Sequence, residues 1–320
     1  MKISFWSSRE KALVTVIVHG DTMAKPKKSA KESRLVYVPF VVAAAIVALL
    51  VVLVFVKPPA TNTTQTNGSF PFLQFVKVSN KDYASSPNTV EVYFVSWEGC
   101  PYGATQSWPL YLALSHYGKV NATPNWSDPE PLPTPNGGLS APMQVPGLLF
   151  QSFVPNGSVR FHFLYMIGRI FYNGTFSLPN GTVIPFSGDS IVTFEQQELQ
   201  KDVPGWVYDL MVKYELETPV GQYPNLVDAG NPPRFPTTLI ITGPNGTWMI
   251  IGYDQTVNPA APYYLAVSGY SPQELYGYVS KGVLPNVTTT SSPQGYAQLE
   301  ATLYIQQEAQ QILNVISEAS

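Results

Sequence analysis

Residues 88–118, NTVEVYFVSWEGCPYGATQSWPLYLALSHYG, decide how this chain is read. Val90, Val92 and Phe94 alternate with Glu91 and Tyr93 and run on into Val95 and Ser96, a β-branched and aromatic run that predicts a half-buried or central strand. At Ala104 the period changes. Trp108, Leu110, Tyr111, Leu112, Leu114 and Tyr117 go most of the way round a helix, so that helix is expected to be buried, with Gly118 as its stop. Pro109 lies inside it and is expected to free the Thr105 carbonyl and bend the axis. Between strand and helix, Trp97-Glu98-Gly99-Cys100-Pro101-Tyr102-Gly103 sets a thiol at the helix N-terminus, where unpaired N–H groups and the dipole favour a thiolate.

This strand, cysteine turn and proline-kinked helix resemble the redox turn of the thioredoxin-like fold. More narrowly, W-x-G-C-P-Y downstream of an apolar anchor is similar to the pattern of an archaeal family of membrane-anchored proteins of uncharacterised function, found in thermoacidophiles. Arg234-Phe235-Pro236-Thr237-Thr238-Leu239-Ile240-Ile241-Thr242 resembles the segment in which that fold sets a cis-proline before a strand, facing the cysteine turn. An Asn245-Gly246 turn, a strand over 247–253 and a capped helix from Ser271 follow in order. The resemblance covers roughly residues 90–282. It implies an α/β, thioredoxin-like domain with a β-rich insertion at about 120–200 and a cis bond before Pro236. It also implies a groove lined by Trp97, Pro101, Tyr102, Phe235, Pro236 and Thr237, with Cys100 as candidate nucleophile.

The departure from that pattern limits the chemistry. A dithiol member would have Cys-Pro-Tyr-Cys, whereas this chain has Cys100-Pro101-Tyr102-Gly103 and a single cysteine in 320 residues. No intramolecular disulfide can form, so any redox role is monothiol and takes its resolving thiol from a partner protein or a small thiol. The alternative is that Cys100 is a buried small hydrophobe on a scaffold that has lost its redox use. Both readings are open at this point.

Residues 1–34 carry eight Lys/Arg against Glu10, Asp21 and Glu32 and read as a basic cytoplasmic tail. Met23 stands just before the basic run and is read as the start of translation, which makes 1–22 an upstream extension. Residues 35–56 hold no charge over 22 positions, enough at about 1.5 Å per residue to cross a hydrocarbon core of roughly 30 Å. The run is longer than a cleavable signal and exits into Lys57-Pro58-Pro59, so an uncleaved anchor is expected. With the basic flank N-terminal, the chain beyond Lys57 lies outside the cell membrane, and residues 57–69 are a polar linker.

Nine Asn-x-Ser/Thr sequons begin at Asn62, Asn67, Asn121, Asn125, Asn156, Asn173, Asn180, Asn245 and Asn286, against roughly two or three expected by chance. All lie beyond the anchor, as a glycosylated surface requires, although five are Asn-Gly-Ser/Thr and also read as hairpin turns. The tail carries +5 and the remainder −8. Charged residues make up 12%, about half the usual share, which suits an acidic medium or a glycan-covered surface. Outside the tail there is no basic patch, which argues against nucleic acid as a partner.

The outer domain is expected over 70–287. Residues 120–146 hold seven prolines and read as an extended loop, and 147–191 as a β meander with turns at Asn156-Gly157, Asn173-Gly174 and Asn180-Gly181. Residues 195–217 read as helix with a restart at Pro204-Gly205, and Ser271-Pro272-Gln273-Glu274 as a capped helix start. After a linker from 288, residues 298–316 form a last amphipathic helix that either packs on its own domain or binds a partner. No zinc spacing, phosphate-cradling glycine loop or nucleophile elbow is present, and no metal or cofactor is expected. Asp128 with Glu130, or Glu195 with Glu198, could serve a glycosidase, but nothing separates them from solvated loop and helix charges. Two functions remain: a monothiol redox or thiol-binding protein acting through Cys100, or a redox-silent cell-surface scaffold or accessory subunit of a membrane complex.

Overall fold

Val90–Ser96, buried at every position, is the strand about which the main sheet is laid. The computed structural model describes residues 70–171, 173–186, 190–287 and 291–320. The tail, the apolar segment at 35–56, the linker and the sequons at Asn62 and Asn67 lie outside the described residues. Among the described residues, no helix is long and apolar enough to cross a membrane.

In chain order the elements are β1 (Val76–Ser79), β2 (Val90–Ser96), α1 (Pro101–Ser115), β3 (Gly118–Trp126), β4 (Pro146–Pro155), β5 (Val159–Tyr165), β6 (Ile170–Phe171), β7 (Thr175–Ser177) and β8 (Val183–Pro185). There follow α2 (Ser190–Asp202), α3 (Gly205–Met211) continuing into a π turn (Val212–Leu216), β9 (Thr238–Gly243), β10 (Gly246–Ile251), α4 (Ala261–Val267), α5 (Pro272–Val279) and α6 (Pro293–Ala319). The main sheet has the order β1-β10-β9-β2-β5. Only β2 and β5 run parallel; every other neighbour is antiparallel. The chain is thus a mixed α/β protein with helices on both faces of one sheet.

The pleat of β2 sorts its side chains between two cores. Val92 and Phe94 pack with Trp108 and Leu114 of α1, Leu265 of α4, Leu275 of α5 and Ile305 and Ile312 of α6. Tyr93 and Val95 face the other way, onto Val192 and Leu199 of α2 and Val207 and Met211 of α3. A strand sealed on both faces has no solvated side to show, which is why its polar Glu91 and Ser96 are buried too.

Helix α1 is apolar almost all round because α6 lies along one side and the β3–β4 hairpin crosses another. Trp108 Nε1 donates to the Pro146 carbonyl at 2.8 Å, and a Cβ on Gly147 would stand 2.5 Å from Ala104. Pro109 is interior, as the sequence predicts. Gly118 acts differently from its expected role: the helix ends at Ser115, and Gly118 opens β3, where a Cβ would collide with the Val154 carbonyl. Glycine there permits the hairpin to close.

Two expectations about the middle of the chain are corrected. Residues 118–126 form a strand despite Pro124, because β3 has β4 as its one partner in a two-stranded sheet and the missing N–H can face away from it. The proline-rich loop shrinks to about 127–145, folded back by bridges at Glu130↔Met143 and Pro133↔Leu139. The expected meander over 147–191 is split three ways. β4 pairs with β3, β5 joins the main sheet beside β2, and only β6, β7 and β8 form a three-stranded meander. The Asn156-Gly157 turn therefore hands the chain from one sheet to another.

Later elements follow their sequence signals. The helix restart falls at Gly205, and Ser271 and Glu274 close a capping box, each accepting the other's backbone N–H. The last helix runs over 27 residues and spends its apolar face, Ile305, Ala309, Ile312 and Ile316, on its own domain.

Candidate functional site

The cysteine turn and the segment before β9 meet, through Cys100 and Thr237. β2 delivers Ser96 and Trp97, α1 begins at Pro101 with Cys100 as its N-cap, and β9 brings up Phe235, Pro236 and Thr237 from the neighbouring strand position. The Thr237 hydroxyl donates to Cys100 Sγ at 3.0 Å and shares a 2.7 Å bond with Ser96 Oγ. The bond before Pro236 is trans, which corrects the expected cis-proline; the cis bond among the described residues is Asn231–Pro232.

No groove opens at this meeting point. Cys100 is 4% exposed, Trp97 2%, and Phe235 and Thr237 are fully buried, while Pro101 is buried and only Tyr102 and Pro236 reach partway to the surface. Ile167, Phe176 and Ile191 close over Trp97 and Cys100, so the β6–β8 meander and the start of α2 form a cap on the turn. Backbone bonds seal it further: Glu98 N–H to Ile167 O, Gly99 N–H to Gly168 O and Asp128 N–H to Gly99 O. Tyr102 packs against the Trp97–Cys100 cluster and on Tyr253, ring centres 5.1 Å apart, and burial pushes its phenol up to about 12.

Burial also pushes the Cys100 thiol above its ordinary value, in spite of the Thr237 hydroxyl, the Gly103 and Tyr102 N–H groups and the Arg234 charge, which all act the other way. The expected lowering at a helix N-terminus is reversed because desolvation of a sealed sulfur outweighs the dipole and its donors. Gly103 stands where a dithiol turn has its second cysteine. A Cβ there would meet Ser96 Oγ and come within 2.8 Å of Thr237 Oγ1. The room a second sulfur needs is filled by two hydroxyls.

Around the turn runs a ring of charge. Arg234 lies over the Trp97 indole at 5.1 Å and pairs with Glu130 at 2.6 Å. Arg169 pairs with Asp128 at 2.9 Å, whose second oxygen accepts the Ile170 N–H. A cleft of 330 Å³ opens beside these pairs, walled by Asp128, Glu130, Ile170, Phe171, Phe186 and Pro232, and none of the expected groove residues lines it. Both carboxylates weighed for glycoside hydrolysis are thus held by arginines. Of the second such pair, Glu195 is fully buried and Glu198 lies 3.6 Å from Lys201.

Sequence reasoning missed the buried carboxyls. Glu195, Glu215 and Glu308 are each 0% exposed, and each keeps one oxygen without a hydrogen-bond partner among the described residues. Burial carries Glu195 and Glu308 up to about 8 and Glu215 well above the usual carboxylate range. Glu91 differs. Burial pushes it up, but bonds from the Ser85 hydroxyl and N–H and from Tyr93, with His162 at 3.7 Å, hold it below the ordinary value. Of the seven sequons among the described residues, Asn121, Asn156, Asn173, Asn180, Asn245 and Asn286 are exposed. Asn125 is tied down, its Nδ2 donating to the Glu98 carbonyl at 2.8 Å and its Oδ1 accepting from Arg169.

No curated protein and no solved structure matches this chain. A family model described as a domain of unknown function, DUF929, matches residues 74–318, and the chain belongs to that family.

Proposed function

We propose that this protein is a membrane-anchored, extracytoplasmic scaffold, an accessory subunit of a membrane complex, built on a thioredoxin-like domain that carries no redox chemistry. The observation that carries the redox-silent reading is the state of Cys100: 4% exposed, capped by Ile167, Phe176 and Ile191, and with a thiol pushed up by burial. Nucleophilic attack needs an exposed thiolate, and here both conditions fail. The filled position at Gly103 supports the same reading, since this turn has repacked around Ser96 and Thr237.

Support for the thioredoxin-like kinship comes from topology. A central strand leads through the cysteine turn into a proline-containing helix, a parallel neighbour lies on one side, and two antiparallel strands and a helix follow on the other. The trans bond at Pro236 departs from the pattern, while the contact of Thr237 with Cys100 keeps its spatial part. The anchored, outward-facing placement rests on residues 1–69 and on the six exposed sequons.

Alkylation of the native protein at pH 5 tests the silent thiol. Cys100 should label at least a hundredfold more slowly than in the guanidinium-unfolded chain, and Cys100→Ser should leave co-purifying membrane partners unchanged. Native labelling at the unfolded rate, or loss of those partners in Cys100→Ser, refutes the scaffold. Protease added to intact cells should digest the region beyond residue 57 and spare the tail; the reverse pattern refutes the orientation.

A further inference from the structure

Two of the three buried carboxyls with one unpaired oxygen hold one short segment. Glu195 on α2 accepts the Phe235 N–H at 2.8 Å, and Glu215 on the π turn accepts the Thr238 hydroxyl at 2.7 Å. Between those two points sits Thr237, the residue that donates to Cys100. Glu195, Glu215, Phe235, Thr237 and Thr238 are all 0% exposed. The remaining oxygens, Glu195 Oε1 and Glu215 Oε2, are buried with no donor to meet them among the described residues.

Few charges bear on this pair. From the loop before β9 there is Arg234, which bears on Glu195 but is already taken up by Glu130 at 2.6 Å; across the site, Glu195 bears on Glu215 and raises it further. A buried carboxylate without a counter-ion costs several kcal/mol. The closed fold therefore admits both groups only as neutral acids, and either can ionise only where water reaches it, which requires α2 or the π turn to lift from residues 235–238. Single π turns are rare overall and, where they occur, frequently lie at functional sites.

We infer that Glu195 and Glu215 form a proton-operated latch over the thiol: protonated, they clamp α2 and the π turn onto residues 235–238; ionised, they let α2 lift, taking Ile191 out of the cap and opening Cys100 to solvent. Both groups titrate above the ordinary carboxylate value of 4.5, Glu195 at about 8. For a raised acid the sign is fixed: the clamp is complete below about pH 4.5 and is lost progressively as pH climbs toward the folded value. An acidic exterior keeps the turn shut, and a neutral to alkaline one loosens it. The latch goes beyond the scaffold reading, because it governs access to the sulfur whatever the domain binds.

The test uses the full-length protein in detergent, labelled with iodoacetamide from pH 5 to 9, each rate divided by that of the unfolded chain at the same pH so that thiol ionisation cancels. The ratio should rise about tenfold or more per pH unit up to about pH 8. The Glu195→Gln/Glu215→Gln pair, which keeps both acceptor oxygens, should give a flat ratio, and Glu308→Gln should leave the slope as it is. A flat wild-type profile, an unchanged slope in the double variant, or equal flattening by Glu308→Gln overturns the latch. Slow labelling at pH 5 with a flat profile would overturn it and leave the scaffold reading standing. Should the double variant not fold, infrared spectra of the wild type at pH 7 decide: a protonated-carboxyl stretch that each single Gln variant diminishes is expected, and its absence refutes the latch.

Discussion

Replacing Glu308 by Gln should make the protein less stable in acid and more stable in mild alkali. Glu308 sits on α6 against α1, its Oε1 accepting from Gln106 Nε2 at 2.9 Å and its Oε2 without a partner. Tyr304 from the same helix donates to Gln106 Oε1 at 3.1 Å, so the carboxyl closes a small polar network inside the main core. Burial, with Asp254 adding to it and Gln106 opposing it, moves the group from 4.5 to about 8. Because the folded value is raised, the contribution of the neutral acid to stability is full below about pH 4.5 and declines as pH rises to about 8. At roughly 1.4 kcal/mol per unit, that decline amounts to an order-of-magnitude 5 kcal/mol. The group is fully buried, so solvent screening does not reduce it. The amide cannot ionise, but it sets two donors where an oxygen had no partner, at a cost of about 1 kcal/mol or more. Urea denaturation at half-unit steps from pH 4 to 9 would show the wild-type curve falling and the variant curve flatter, the two crossing near pH 5 to 6. Parallel curves would refute the reasoning, since they would mean that Glu308 is ionised, or reached by water, in the folded state.

Gly103→Ala should destabilise the domain by about 1–3 kcal/mol, because the new methyl meets Ser96 Oγ and Thr237 Oγ1; thermal melting checks it, and a neutral effect would show the turn has unfilled room. Ser271→Ala removes half of the capping box at the start of α5 and should cost about 1 kcal/mol in the same assay, with Ser271→Asp restoring most of it. Glycopeptide mass spectrometry of protein from its native membrane should find glycans among the six exposed sequons and none on Asn125, whose Nδ2 is committed to Glu98; a glycan there would contradict the geometry of that loop.

The central β-α unit could be read from residues 88–118 because local signals and tertiary context agree there: a β-branched run becomes a sealed strand, and a helix apolar all round becomes a sandwiched one. Where the two conflict, the sequence misleads. Proline density across 120–146 hid β3, since a proline that forbids a central strand is tolerated where one side of the strand is unpaired. The Asn156-Gly157 dipeptide carries the signature of a hairpin, yet β5 finds a better partner in β2. Its alternation of Val159, Phe161 and Phe163 with Arg160, His162 and Leu164 fits the main sheet, where β5 pairs along its whole length with the buried β2. Turn chemistry states that the chain reverses. It cannot state which strand the next one joins.

The candidate site was legible in outline and its burial was not, for a similar reason. Cys100, Trp97 and the 235–237 segment do converge, but the resemblance that located them also implied an open groove, and openness depends on what else packs there. The cap comes from Ile167, Phe176 and Ile191, residues with no local signal tying them to the turn. The buried acids, by contrast, were within reach of helical periodicity. Glu195 falls four residues from both Ile191 and Leu199, and Glu308 lies on the stripe of Ala301, Ile305 and Ile312. Reading Glu195 as a solvated helix charge suppressed that signal. A carboxyl on an apolar stripe is cheap to bury only as a neutral acid, so three of them in one domain make the proton a component of the packed core. The same logic separates Glu91 from the rest: it lies less deep than those three, and donors from Ser85 and Tyr93, with His162 nearby, outweigh its desolvation and hold it below its ordinary value, so depth and partners together decide which acids in this fold respond to pH.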